Sequence, residues 1–455
     1  MLFEKNNKIK NINHILFVIS RLIIFIKNIF SNLNIYYSIS FMFCQLNKMF
    51  QISFMFLLTN MCFGQLNNVN KINFKLDSLI NSSIREEVFP GAQVYVKIGN
   101  EILINKSFGY HTYDSIAKVK NNHVYDLASL TKVLGSTIAI MKMSEDFNLN
   151  LEDPISKYLP ELKKSNKKNT TFIEALSHTS GWIPYINHHY LLKRKSGKLK
   201  RNIVRNKKSK RFNLKITENL FLRKTYQKKI FKRIRKSEVK NPGEYLYSGL
   251  FFFYVPKLVE RIAREDYESY LKNIFYQKIE NNSISFNPSD KSNIVPTEFD
   301  SIFRNSLVHG TVHDEAASLF EGKSGNAGLF GSAESIGQLI KNFETWSSDN
   351  FQGIFKESTI NKFTSYAFSD SLIRRGLGFD KPKRKIGENY PNKNLSQQSF
   401  GHTGFTGTFF WVDPKVKLSV VFLTNRVYPT RENKKIYEKN IRSKLLDLIF
   451  ENIKI

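Results

Sequence analysis

Cysteine is almost absent from this chain of 455 residues, and both cysteines, Cys44 and Cys62, fall within the first 64 residues. A mature protein without that region would contain no thiol, which excludes disulfides as a source of stability and excludes a cysteine nucleophile. The chain also lacks an internal repeat and a glycine-rich loop that would hold a phosphate ahead of a helix. These absences disfavour repeat scaffolds, thiol enzymes and nucleotide-binding folds.

Metal ligands are scarce as well. His188 and His189 form a pair that the sequence suggests lies at the surface, and no third ligand follows them at the spacing of a metal site. His309 and His313 are four residues apart, but Gly310 argues against the helix that would place them on one face. We therefore predict no metal and no other cofactor.

Acidic residues are few, 39 against 69 lysines and arginines, and the resulting net charge of +30 is unevenly distributed. Residues 191–240 contain 21 basic and two acidic residues, a net charge of +19; the first 64 residues carry +5, which leaves +6 for the rest. Apolar residues between Ile216 and Ile234 suggest an amphipathic helix in this insertion.

The basic insertion has two interpretations, a solvated flap or a surface for anionic envelope polymers or a membrane. Nucleic acid is an unlikely partner, because the segment has few aromatic residues for stacking on bases.

The N-terminal region resembles a targeting segment. A lysine precedes Met49, an apolar run covers residues 52–58, and small or polar residues lead to Gly64. This pattern predicts a secretory signal peptide over about 49–64, preceded by an upstream extension, and hence an exported protein of the periplasm or cell envelope. The competing interpretation is an N-terminal membrane anchor, although Ile15–Phe25 is interrupted by Arg21 and is shorter than the ~20 residues of a span.

The remaining residues, 65–455, are predicted to form one catalytic domain that carries the basic insertion. Strands are expected at Ala92–Ile98 and Glu101–Gly109, two more within residues 405–425, and a closing helix at about Arg431–Ile449. Sheet elements from both ends that enclose a helical middle indicate an α/β fold with an antiparallel sheet.

The most informative motif is Ser129-Leu130-Thr131-Lys132, which leads into the apolar stretch Val133–Met143. Residues three apart in a helix share a face, so the serine hydroxyl and the lysine amine should meet. A desolvated lysine loses its proton more readily and can then activate the hydroxyl for acyl transfer. Five Ser-x-x-Lys matches occur, at Ser115, Ser129, Ser165, Ser237 and Ser269, but only that at Ser129 opens a long apolar helical stretch.

Four further segments occur in the order Pro90–Val94, Leu176–Gly181, Gly325–Phe330 and, near the C-terminus, His402-Thr403-Gly404. Together with Ser129 and Lys132, they resemble the serine β-lactamase and penicillin-binding-protein superfamily, in its class C-like serine hydrolase and esterase branch. The resemblance implies an antiparallel sheet flanked by helices and a mainly helical subdomain across a cleft.

The family's second motif, a tyrosine followed by a spacer and usually a polar residue, is matched by Tyr247-Ser248-Gly249. Gly249 departs from the pattern, because the polar side chain is missing. Two literal Tyr-x-Asn triplets begin at Tyr185 and Tyr390, but the first is too close to the Ser-His-Thr-Ser-Gly stretch and the second too close to the third motif.

The resemblance implies an acyl-enzyme on Ser129, with Lys132 and Tyr247 sharing the roles of general base and general acid. The backbone N–H groups of Ser129 and Phe405 would form the oxyanion hole. Substrate would be bound by the third motif: His402, Thr403 and Gly404. A histidine in that motif loses its charge near neutral pH, whereas a lysine would keep it, so the site carries less permanent positive charge.

The expected activity is hydrolysis of an ester, a β-lactam or a peptidoglycan-type amide. Gly249 supports a competing hypothesis, a non-catalytic module that accepts an acyl group for sensing. A third hypothesis is an envelope-surface-binding protein that uses residues 191–240.

Overall fold

The computed structural model describes residues 20–24, 26, 70–344, 353–369, 372–384 and 390–452. The unit that carries the motifs is Lys71–Ile455. The predicted signal peptide, with cleavage near Gly64, lies outside the described residues and stays a prediction. Within the part of the chain that the structure describes, none of the helices combines the length and the hydropathy needed to cross a bilayer.

Among the described residues, the strands form one main sheet and three small ones. In chain order they are β1 Gly91–Ile98, β2 Glu101–Gly109, β3 Tyr125–Asp126, β4 Val204–Arg205, β5 Phe212–Thr217, β6 Leu220–Arg223, β7 Ser285–Phe286, β8 Phe299–Asp300, β9 Ser306–Leu307, β10 Leu329–Gly331, β11 Phe400–Thr403, β12 Phe409–Asp413 and β13 Leu418–Thr424. The main sheet is antiparallel, in the order β11-β12-β13-β1-β2. The small sheets are β3-β10-β7, β4-β6-β5 and β8-β9.

Most helices lie between the two halves of the main sheet in the sequence. The α-helices of this unit are α1 residues 70–85, α2 Ile138–Asp146, α3 Phe172–Leu176, α4 Tyr226–Lys236, α5 Val255–Ile262, α6 Tyr267–Ile274, α7 Glu315–Ser318, α8 Ala333–Ile340, α9 Glu357–Thr364, α10 Lys435–Glu438 and α11 Ile441–Asn452. A π-helical segment, Lys132–Thr137, precedes α2 directly. Short 3₁₀ turns are Ile155–Lys157, Pro160–Leu162, Tyr190–Leu192, Phe251–Tyr254, Tyr276–Lys278, Lys291–Asn293 and Lys341–Phe343.

The main sheet separates two apolar cores, because successive side chains of a strand point to opposite faces. In β1, Val94 and Val96 join one core and Tyr95 joins the other. The first core is completed by the N-terminal helix α1 and the C-terminal helix α11, while the second contains the helical middle of the chain. A sheet buried on both faces explains why β1 and β13 are apolar almost throughout.

The predicted α/β fold with an antiparallel sheet is confirmed, and the strands lie close to their predicted bounds. The closing helix is wrong as a continuous element. It is divided into α10 and α11 at Asn440, whose φ of 52° is incompatible with a right-handed helix. Asparagine tolerates this left-handed conformation better than most residues, and it ends α10 there.

The basic insertion, residues 191–240, is a folded element. The predicted amphipathic helix from Ile216 to Ile234 is wrong in its first half, where β5 and β6 form a hairpin beside β4. Leu220 and Leu222 are two residues apart and buried on one side of β6, a strand period that the longer helical pattern concealed. Only the second half of the predicted range is helical, in α4.

The apolar residues of the insertion belong to the same core as the helical middle. Ile216, Leu222, Ile230 and Ile234 are buried in it, so the insertion is anchored to the body of the protein rather than extended into solvent. Most of its lysines and arginines are exposed, whereas Lys193, Lys200, Arg223, Arg233 and Arg235 are partly buried.

Truncation of Ile230 should therefore destabilise the whole unit. Ile230→Ala removes a fully buried side chain from the shared core, and we expect the free energy of unfolding to fall by about 2–5 kcal/mol in urea denaturation. Lys229→Ala, exposed on the same helix, should change it by less than about 0.5 kcal/mol. Equal effects of the two variants would mean that the insertion does not pack on the core.

Candidate active site

Ser129 and Lys132 are brought together as predicted. Lys132 Nζ donates hydrogen bonds to Ser129 Oγ at 2.9 Å and to the backbone carbonyl oxygen of Asn326 at 2.9 Å. The lysine is 4% exposed, whereas Ser129 is only half-buried. A partly accessible hydroxyl thus lies beside an amine that is shielded from water.

The backbone around Ser129 is held in an uncommon conformation. Ser129 lies in a turn between β3 and the π-helical segment, and the preceding residue, Ala128, has a φ of 46°. Asp126 stabilises this turn, because its carboxylate accepts hydrogen bonds from the N–H of Ala128 at 2.8 Å and of His313 at 2.6 Å. Such strain costs of order 1–3 kcal/mol and is concentrated at functional sites in many proteins.

The loop after β11 is pinned against the same turn. The hydroxyl of Thr406 donates to the carbonyl of Asp126 at 2.7 Å, and that of Thr408 donates to the carbonyl of Leu127 at 3.1 Å. A Cβ on Gly404 would lie 2.7 Å from the Leu127 carbonyl oxygen, so only glycine allows this approach. The third motif, with Thr403 half-buried at the end of β11, therefore lies beside the turn of Ser129.

Two backbone donors are available at this junction. The N–H groups of Ser129 and Phe405 take part in no hydrogen bond among the described residues. Phe405 follows Gly404, which packs on the Ser129 turn, and its ring is 47% exposed and stacks on His313 with centroids 5.6 Å apart. The arrangement is compatible with the predicted oxyanion hole.

Tyr247 also joins the cluster. Its ring centroid lies 5.7 Å from Lys132 Nζ, 4.4 Å from the His178 ring and 6.3 Å from the His402 ring. The segment is fixed by backbone bonds: Leu246 N–H donates to the His178 carbonyl at 2.8 Å, and Ser248 N–H donates to His178 Nδ1 at 3.3 Å. His178 therefore positions the second motif.

The two literal Tyr-x-Asn triplets lie elsewhere. Tyr185 is 69% exposed, and the Tyr390 hydroxyl donates to Asp380 at 2.8 Å, with its ring packed on Trp411. Neither tyrosine is brought to Lys132, which supports Tyr247 as the second-motif residue.

Gly249 borders the lysine. A Cβ at this position would lie 3.7 Å from Lys132 Cε, an ordinary van der Waals distance, and the residue has no positive φ that would demand glycine. The missing side chain is thus one that could reach the amine. The main-chain oxygen of Asn326 binds the same amine, a role that the sequence pattern of the segment Gly325–Phe330 does not predict.

His402 is a neutral imidazole in this site. Its Nδ1 donates to the Thr403 carbonyl at 2.8 Å, so the lone pair is on Nε2, which has no hydrogen-bond partner among the described residues. The ring is 3% exposed, and burial, reinforced by the nearby Arg375 guanidinium, lowers the pKa of His402 to about 3. The ordinary titration range assumed from the sequence does not apply here.

The histidine pair that the sequence suggests lies at the surface is instead buried. His188 and His189 are buried, not surface residues, and burial lowers the pKa of His188 to about 4.

A group of three buried carboxylates, Glu298, Asp300 and Glu315, has the spacing of a metal site. Two arginines occupy this group, however. Arg304 donates to Asp300 at 2.6 Å and Arg431 donates to Glu315 at 2.6 Å and to Glu298, so two guanidinium groups offset most of the charge of the three carboxylates.

The antiparallel sheet, the helical middle of the chain and the proximity of the three motifs together define a protein of the serine β-lactamase and penicillin-binding class. Residues 76–441 match the family described as Beta-lactamase, and the chain belongs to that family. The "Putative D-alanyl-D-alanine carboxypeptidase" of Salmonella agona (strain SL483) is 26% identical over 391 residues, which cover 80% of this chain and 84% of the relative.

Solved structures share the fold. "EstCE1, a hydrolase with promiscuous acyltransferase activity" superimposes with a TM-score of 0.61 at 17% identity, over 84% of this chain and 99% of that one. "A class C beta-lactamase" has a TM-score of 0.61 at 14% identity, over 85% and 97%. At these identities the likeness supports the fold and not a particular substrate.

Buried neutral histidines predict a pH dependence of stability. The pKa values of His402, about 3, and of His111 and His188, about 4, lie below that of an exposed histidine because of burial. Between pH ~6.5 and these values the unfolded chain binds more protons, so the free energy of unfolding should fall as the pH falls, by at most about 1.4 kcal/mol per pH unit for each histidine. Urea denaturation across this range should show a smaller slope for His402→Asn; an identical slope would contradict the burial of a neutral His402.

Proposed function

We propose that this protein is a serine hydrolase that forms an acyl-enzyme on Ser129. The observation that carries the proposal is the 2.9 Å hydrogen bond between the shielded amine of Lys132 and the accessible hydroxyl of Ser129. Membership of the Beta-lactamase family supports the same chemistry.

The reaction would proceed in two steps. Ser129 Oγ attacks a carbonyl carbon, and its proton passes to the Lys132–Tyr247 pair, which returns a proton to the leaving group. The N–H groups of Ser129 and Phe405 would stabilise the oxyanion, at about 3 kcal/mol per donor. Water then attacks the acyl carbon, with the same pair as base, and releases the free hydroxyl.

The substrate class we propose is an ester, a β-lactam or a peptidoglycan-type amide. The name of the Salmonella relative favours the amide of a cell-wall peptide. The neutral His402 favours substrates that need no positive charge at the third motif, such as neutral esters. His402, Thr403 and Gly404 would form one wall of the binding site.

Labelling should identify the nucleophile. The full chain incubated with a fluorophosphonate probe, and separately with a β-lactam, should gain the mass of one adduct in the wild type and none in Ser129→Ala. Ser115→Ala is the matched control, since it removes another Ser-x-x-Lys serine from an exposed turn and should leave labelling intact. Adduct formation on Ser129→Ala would refute the assignment.

The lifetime of the β-lactam adduct separates an enzyme from an acyl-accepting sensor. Loss of the adduct within minutes, with release of hydrolysed product, fits turnover. An adduct that persists for hours would favour the sensor, in which the missing side chain at Gly249 leaves the amine with fewer partners.

A second candidate function is binding of an anionic envelope polymer or membrane surface through residues 191–240. Within this fully described segment the cations that pair with acids are Lys215, with Glu218, and Lys240, with Glu238. The apolar face of α4 is buried in the core, so contact would be electrostatic, without insertion into a bilayer. The proposal presumes export, as the predicted signal peptide implies.

Salt should weaken such binding steeply. We expect the protein to co-sediment with phosphatidylglycerol vesicles or to bind polyphosphate at about 0.05 M NaCl and to be released at about 0.5 M. Lys228, Lys229 and Lys232 changed together to glutamine should weaken binding, whereas the same change at the exposed Lys163, Lys164 and Lys168 should not. Salt-independent binding, or equal loss in both triple variants, would contradict a role for the insertion.

A further inference from the structure

Arg375 is a buried cation whose hydrogen bonds are incomplete. It is 4% exposed and lies in the segment of the chain that connects α9 to β11. Its Nη2 donates to the Tyr245 hydroxyl at 2.8 Å, but Nε and Nη1 have no hydrogen-bond partner among the described residues. A buried guanidinium with unused donors is costly, so its position calls for an explanation.

The guanidinium faces the second motif. Its Cζ lies 5.3 Å from the ring centroid of Tyr247 and 5.4 Å from that of Tyr245. Arg375 thus contacts the proposed catalytic tyrosine, although it belongs neither to the Ser129 motif nor to the third motif.

The positive charge there is not cancelled by its acidic neighbour. Asp380 Oδ1 is 3.8 Å from Arg375 Nε, beyond a hydrogen bond. Asp380 is already bound by Arg374 and by the Tyr390 hydroxyl. Two guanidinium groups share a single carboxylate, which leaves net positive charge beside Tyr247.

The histidines of the site do not supply this charge. His402 and His178 are both buried, and burial holds the pKa of each well below its ordinary value. Lys132 acts as a base only when it is uncharged. Among the titratable and charged groups that pack around Tyr247, namely Lys132, His178, His402, Tyr245, Arg375 and, behind it, Asp380 with Arg374, the permanent cation in contact with the ring is therefore Arg375.

We infer that Arg375 supplies the positive charge that stabilises negative charge on the phenolic oxygen of Tyr247, a role that histidine in the third motif leaves unfilled. The inference rests on the proposed function. As the bond from Ser129 Oγ to the acyl carbon forms, the proton of that hydroxyl moves to the Tyr247–Lys132 pair. It then passes to the leaving group as its bond to the acyl carbon breaks. Arg375 stays charged throughout and transfers no proton, so it is a positioning residue.

The test measures how the charge of residue 375 changes the pH dependence of acylation. The rate of fluorophosphonate labelling and the burst with p-nitrophenyl acetate would be measured on the full chain from about pH 5 to pH 10. Arg375→Gln should slow acylation at least about tenfold at neutral pH, and the alkaline midpoint of the rate should move upward, so that the deficit shrinks at high pH. Arg375→Lys keeps the charge and should restore most of the rate.

Two further variants separate electrostatics from folding. Arg374→Gln leaves Asp380 to offset the charge of Arg375 without removing a contact of Tyr247, because Arg374 stacks on Tyr390 instead, and it should slow acylation in the same direction as Arg375→Gln but by a smaller factor. His402→Lys in the Arg375→Gln background restores a cation at the third motif and should recover part of the lost rate. Circular dichroism of each variant during heating reports whether the fold is retained.

Three outcomes would overturn the role of Arg375. The first is a loss equal in Arg375→Gln and Arg375→Lys and independent of pH, which would indicate a structural residue. The second is a change confined to KM for carboxylate-bearing substrates, which would indicate a substrate-binding residue. The third is wild-type acylation in Arg375→Gln. Failure of the proposed function is distinct, because the wild type itself would then form no adduct on Ser129.

Discussion

The hydrogen bond between Lys132 and Ser129 is the interaction on which the site depends. A buried amine must be held close to a hydroxyl that stays accessible, and these demands conflict on a simple helix, where neighbouring residues share similar exposure. The protein resolves the conflict with a strained turn at Ala128 and a π-helical segment from Lys132. The carbonyl of Asn326 accepts a second hydrogen bond from the amine and helps to fix it.

The main sheet supplies the loop that packs against the turn of Ser129. Because β11 is the edge strand, the loop that follows it can approach the Ser129 turn, and the hydroxyls of Thr406 and Thr408 join the two by hydrogen bonds to main-chain carbonyls. The site is therefore assembled mostly from backbone geometry that distant segments impose on each other. The basic insertion is attached to the same unit through its apolar residues, which join the core that contains the helical middle.

Much of the fold could be predicted from the sequence, because the strands have clear apolar runs and the motifs occur in the family's order. Ser129 and Lys132 are close in sequence, so local spacing is sufficient to pair them. Asn326 and Arg375 could not be found this way, since only the tertiary fold brings them to Lys132 and Tyr247. The state of His402 was also beyond the sequence, because burial and a neighbouring guanidinium determine its pKa. The hairpin in the insertion is hidden in the sequence, because its short strand period lies within a longer helical pattern.

The most direct test of the account is a crystal structure of the protein inactivated by a fluorophosphonate. We predict a phosphorus atom bound to Ser129 Oγ, with its oxygen accepting hydrogen bonds from the N–H groups of Ser129 and Phe405, and with Lys132 and Tyr247 both within reach of the ester oxygen. A label on another residue, or a phosphoryl oxygen turned away from those two N–H groups, would contradict it.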